Sequence, residues 1–147
     1  MQHGTKTDLV YLLIVLESIA KIEQYSESFT NADEFYNKDE QLNFNASLLL
    51  LANIGEQSAK ISKELKTKYN SLDWLNVKNL RNRIVHDYTG IDFELTFRII
   101  KKELPELKFL FCKIIQEELR NKNFEIEDYN VAKDSFYYRH IDFNSIL

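Results

Sequence analysis

Three glycines and one proline in 147 residues leave this chain little material for tight turns. An all-β or doubly wound fold would need many such turns, so the scarcity points to long helices joined by few, short connections. The apolar pattern agrees. Leu9, Leu12, Leu13, Leu16, Ile19 and Ile22 recur at helical spacing and predict a core helix from about Thr7 to about Ser28. Thr30 to Glu40 has no apolar period and reads as a loop. Leu42 to about Lys68 reads as a second long helix, apolar nearly all round at Leu48–Ala52, which implies contact on more than one side.

Ser71-Leu72-Asp73-Trp74 is a turn with an N-cap, leading into a helix from about Trp74 to Asp87 or Tyr88 that Gly90 should stop. Asp92 can cap the next helix, which runs to about Glu103; Pro105 is expected to break it and open a last one through about Arg120. The fold class expected is all-α, an up-and-down bundle of four or five helices. From Asn121 onward charges and aromatics alternate without a helical period. Residues 1–120 therefore read as the helical domain and 121–147 as an aromatic-rich extension, a docking tail that could cover a cleft.

At 17.5 kDa the chain is one domain's worth of protein, large enough to bury a core without disulfides or a structural metal. Cys112, the single cysteine, lies in the apolar run Phe109-Leu110-Phe111-Cys112 and reads as a small buried hydrophobe. With no internal disulfide possible, a reducing, cytoplasmic location is expected. The apolar run Leu9–Leu16 is too short to span a membrane, and its helical pattern continues past it, unlike that of a signal peptide. The formal net charge is −4, yet between Lys60 and Arg83 seven basic residues face two acidic ones, a local +5 against −9 elsewhere. That asymmetry suits either a phosphate-binding face or a solvated lysine-rich helix end.

Arg81-Asn82-Arg83-Ile84-Val85-His86-Asp87-Tyr88 brings a guanidinium, an imidazole and a phenol within two helical turns. These groups suffice for RNA cleavage without a metal or other cofactor: the imidazole takes a proton from a ribose 2′-hydroxyl, and the guanidinium neutralises charge on the attacked phosphate. On a helical wheel Val77, Leu80, Ile84 and Tyr88 face the core. Lys78, Asn79, Asn82, Arg83 and His86 take the opposite side, with Lys78 and Arg83 placed to contact RNA and Asn82 one turn from His86. Arg81 lies roughly 140° from His86 at 100° per residue, so the site closes more readily if a second copy contributes. Taken singly, His86 could be a helix cap, Arg83 a solvent-facing residue and Tyr88 a core tyrosine. His3 and His140 match no metal spacing.

The ordered set Ile54-Gly55-Glu56, Asp73-Trp74, Arg81 to Tyr88, Thr89-Gly90-Ile91-Asp92 and Leu104-Pro105-Glu106-Leu107 resembles the HepT-like branch of the HEPN superfamily, over about Thr7 to Glu118. That resemblance implies a helical bundle that dimerises around a shared cleft. It implies a metal-independent endoribonuclease toxin, paired with a minimal nucleotidyltransferase antitoxin that silences it by attaching AMP to the motif tyrosine. Carried over, His86 is the acid/base, Arg81 the phosphate stabiliser, Asn82 a supporting polar residue, and Tyr88 both a site residue and the modification target. Glu56 matches a recurrent family position, and a buried partner for a motif side chain is the expectation there. A non-catalytic helical partner of a nucleotidyltransferase is the alternative reading.

Overall fold

A computed structural model describes residues 2–86 and 90–147, with side chains from Thr7 onward. The two long helices α1 (Gln2–Ser26) and α2 (Ala32–Lys60) form a hairpin across a five-residue connection and pack against each other. The expected stripe is the core: Leu9, Leu12, Leu13, Leu16, Ile19 and Ile22 are all buried. Two side chains finish the end of α1. Lys101 Nζ donates to the Ser26 carbonyl at 2.7 Å and Asn43 Nδ2 to the Tyr25 carbonyl at 2.8 Å, satisfying acceptors that a helix C-terminus leaves open.

The Thr30–Glu40 stretch is not the loop that its lack of period suggested. Asn31 accepts the Glu34 N–H and starts α2 at Ala32, because Phe35 finds a fully buried place between Phe29, Phe44 and Phe97. Only Lys38–Gln41 departs from right-handed helix. Asp39, Glu40 and Gln41 take φ of 49°, 56° and 67°, a left-handed turn that costs roughly 1–2 kcal/mol per residue. The aromatic anchors on either side of the turn, Phe35 with Tyr36 and Phe44, hold it in place.

The second helix stops at Lys60, short of Lys68. Ser62 caps a separate short helix, α3 (Lys63–Lys68), and is itself held by the buried Asp8 carboxylate, which accepts both the Ser62 N–H (2.8 Å) and its hydroxyl (2.6 Å). That pairing satisfies a buried charge and ties α3 to α1.

The next expectation to fail concerns Pro105. Helix α6 (Phe93–Arg98), a π-helical turn (Ile99–Glu103) and α7 (Leu104–Arg120) run on without a break. A proline ring clashes with the carbonyl four residues back and offers no N–H. Widening the preceding turn, so that Leu104 N–H reaches the Ile99 carbonyl, accommodates the ring within one long helix.

After Asn121 the chain forms α8 (Ile126–Lys133) and two 3-10 turns, at Phe136–Tyr138 and Phe143–Ser145, where no helical period was read. Phe124, Tyr129, Ala132, Phe143 and Ile146 are buried in the same core as α1 and α7. Burial pushes the Tyr129 phenol up to about 12, and its hydroxyl donates to the Phe143 carbonyl. The extension is pinned through buried carboxylates. Glu17 of α1 accepts from the backbone N–H and the ring Nδ1 of His140; Glu118 of α7 accepts from Lys68 Nζ and Tyr69 Oη at 2.7 Å each and from Asn123 Nδ2 at 3.2 Å. The extension's own hydrogen bonds among these, from His140 and Asn123, are with α1 and α7. Among the described residues no helix is long and apolar enough to cross a membrane.

Candidate active site

The stretch from Trp74 to His86 is not one helix. Asp73 caps α4 (Trp74–Lys78) by accepting the Asn76 N–H, the chain bends at Asn79, and α5 (Leu80–Ile84) follows. Neither helix reaches two full turns, so both depend on what they bury. Val77, Leu80 and Ile84 are the buried side chains, as the apolar stripe required. Behind them stands Gly55 of α2. A Cβ built at that position would lie 2.8 Å from the Lys78 carbonyl oxygen and 3.3 Å from that of Val77, so the end of α4 rests on bare helix backbone.

Val85 and His86 leave the helix altogether. They form β1, paired antiparallel with β2 (Gly90–Ile91) in the register Val85 to Ile91 and His86 to Gly90, and Asp92 N–H closes the base on the Ile84 carbonyl at 2.8 Å. Gly90 therefore does not stop a helix. Its φ of +85° is the left-handed conformation that returns the chain into β2. The β-branched Val85 suits extended backbone, and strand alternation turns it inward while His86 is exposed. Asp87, Tyr88 and Thr89 lie outside the described residues, and so does the placement expected for Tyr88 on the core stripe.

With His86 on a strand, its helical pairing with Asn82 and its angle from Arg81 no longer apply. Arg81 and Asn82 are exposed on α5 and His86 is exposed just beyond its end. Among the described residues neither Arg81 nor His86 has a side-chain hydrogen bond or ion pair. Arg83 contrasts with both. Expected on the solvent face as an RNA contact, it makes a bidentate pair with Glu103 (Nη1 to Oε1 2.9 Å, Nη2 to Oε2 2.8 Å), which pushes its pKa further above the usual guanidinium range. The π-turn carries Glu103, so the irregular turn before Pro105 also locks the motif helix to the long helix.

The basic run divides in the same way. Lys68 is neutralised by Glu118, while Lys60, Lys63 and Lys78 are exposed. Lys66, half-buried with its Nζ on the Ala59 carbonyl, is pushed below the usual lysine range by burial and then by the charge of Lys78. Glu56 is exposed, not the buried partner expected for a motif side chain. In the Ile54-Gly55-Glu56 triplet the structural weight falls on Gly55, a role that only the packing of α4 reveals.

The sequence profile of the ribonuclease HepT-like family matches residues 15–114. The chain belongs to that family. Among HepT-like relatives, it is 28% identical over 104 residues to the probable ribonuclease HepT of Thermococcus cleftensis, covering 71% of this chain and 92% of that protein. It is 35% identical over 122 residues to a Methanocaldococcus jannaschii protein whose name pairs gamma-glutamylcyclotransferase with a provisional RNase assignment, covering 83% of this chain and 52% of that one. The chain thus spans about half the length of that relative. Another M. jannaschii protein with a provisional RNase name is 30% identical over 98 residues, which is 67% of this chain and 87% of that protein. No solved structure shows a significant match. The matched segment takes in α4, α5, β1, β2 and the π-turn.

Proposed function

We propose that this HepT-like protein is a metal-independent endoribonuclease, the cytoplasmic toxin of a toxin–antitoxin pair. The observation that carries the reading is the contrast within α5 and β1: Arg83 is committed to Glu103, while Arg81 and His86 stand exposed and unpaired among the described residues. In the proposed reaction His86 removes the proton of a ribose 2′-hydroxyl, the oxygen attacks the adjacent phosphorus, and the 5′-oxygen of the next nucleotide leaves and takes up a proton. A 2′,3′-cyclic phosphate and a 5′-hydroxyl result. Arg81 stabilises the charge that builds on the phosphate, Asn82 supports it as a polar neighbour, and Lys78 holds the RNA backbone. Arg83 serves by fixing α5.

A homodimer fits this arrangement, since a second copy can supply a proton for the leaving oxygen. Leu42 and Leu49, 64% and 73% exposed on the outer face of α2, offer apolar surface for it. The test is cleavage of cellular tRNA and messenger RNA by the purified protein. Activity should persist in excess chelator, and the new ends should carry cyclic phosphate. Loss with chelator and recovery with magnesium would overturn the mechanism.

Regulation follows from Tyr88, two residues past His86 in the sequence. A cognate minimal nucleotidyltransferase would transfer AMP from ATP to its hydroxyl, releasing pyrophosphate, and the added phosphate would compete with RNA for Arg81. Co-expression with that enzyme should add AMP to Tyr88 and suppress toxicity, and Tyr88→Phe should not be modified. Mass spectrometry placing the adduct on Tyr137 or Tyr138 would refute the assignment.

A further inference from the structure

Between α4, α5 and the long π-bearing helix lies a cavity of about 260 Å³, roomy enough for a planar base. Leu80, Leu107 and Leu110 supply apolar walls, and Asp73, Arg83 and Glu106 contribute polar groups. It opens beside the motif helix, sharing Leu80 and Arg83 with it.

We infer that this cavity holds a guanine base of the RNA substrate, an inference that rests on the ribonuclease reading above. The argument comes from the hydrogen-bonding groups left over. Glu106 is exposed and, among the described residues, has no hydrogen-bonding partner, so both carboxylate oxygens can accept. Asp73 spends Oδ1 on the Asn76 N–H, and its Oδ2 remains. Arg83 spends two N–H groups on Glu103; a guanidinium has five, so donors remain at the cavity edge.

The cavity therefore presents carboxylate acceptors beside guanidinium donors. Guanine is the RNA base with two adjacent donors on its pairing edge, N1–H and the 2-amino group, which match one carboxylate. Its O6 and N7 are the acceptors that an arginine fork suits. Uracil offers a single N–H flanked by carbonyls that a carboxylate repels. Adenine and cytosine place a ring acceptor beside their amino group. The negative charge of Asp73 and Glu106 disfavours a phosphate inside, so the base enters while its phosphate stays out on the α5 face near Arg81.

Calorimetric titration of the whole protein with GMP and UMP isolates the base, because the two ligands share their ribose and phosphate. GMP is expected to bind at least about tenfold more tightly. Glu106→Gln, which replaces an acceptor pair with one acceptor and one donor, and Leu110→Trp, which fills the cavity, should each bring the two nucleotides within about twofold. Mapped cleavage sites on cellular RNA should cluster beside guanosine, and that bias should be lost in Glu106→Gln. Equal binding of GMP and UMP, or cleavage without base preference, would overturn the guanine site and leave the ribonuclease standing. Absence of any RNA cleavage would instead remove the ribonuclease reading, and with it the inference that the guanine belongs to an RNA substrate.

Discussion

Alanine at His86 or at Arg81 is expected to lower the rate of RNA cleavage by about a hundredfold or more, while the unfolding free energy from urea denaturation stays within about 0.5 kcal/mol of the parent protein. The two halves of that expectation come from different observations. A group that moves the proton, or one that neutralises the phosphate in the transition state, typically contributes factors of this size. Stability should hardly move, because both side chains are exposed and, among the described residues, make no hydrogen bond or ion pair. Single-turnover cleavage and chemical denaturation read the two quantities separately. Unfolding of either variant would show a structural residue, and undiminished cleavage would remove the proposed mechanism.

Gly55→Ala is expected to be the most damaging small change in the bundle. In most helix interiors that substitution stabilises by roughly 1 kcal/mol. Here the new methyl would sit 2.8 Å from the Lys78 carbonyl oxygen, and that neighbour is backbone at the end of α4, not a flexible side chain. Relief requires α4 to move away from α2, taking α5 and Arg81 with it. Overpacking of this kind costs typically 1–3 kcal/mol, so the sign of the usual glycine-to-alanine effect should reverse. Cleavage should fall as well, although Gly55 touches no substrate. A variant as stable and active as the parent would mean that α4 tolerates the shift.

The helical class and the buried faces were legible in the sequence because they follow from period alone. Leu9 through Ile22, and Val77, Leu80 and Ile84, all lie where the spacing put them. Boundaries decided by competition between a local signal and distant packing were not. Pro105 normally breaks a helix, but the widened turn before it let one long helix persist. Residues 32–37 carry no apolar period because their burial comes from two aromatic rings, Phe35 and Tyr36. The motif segment departs from its pattern for a similar reason. Arg81 to His86 scans as a helix, yet β-branched Val85 and the left-handed Gly90 favour a turn-back that only the paired strand makes evident. Arg83 looked like a free cation because Glu103 is twenty residues away and reaches it only through the π-turn.

The C-terminal residues carry a consequence for how this protein can be handled. Phe124, Tyr129, Phe143 and Ile146 plug the same apolar interior that α1 and α7 enclose, and Glu17 and Glu118 keep their charges satisfied partly through His140 and Asn123. A version cut after Arg120 would leave raw hydrocarbon where the plug had been, strip Glu17 of its His140 donors and Glu118 of Asn123, and would be expected to clump before it could report on catalysis. Any comparison with shorter relatives has to be made by swapping surface residues within the full chain, with the cork left in the bottle.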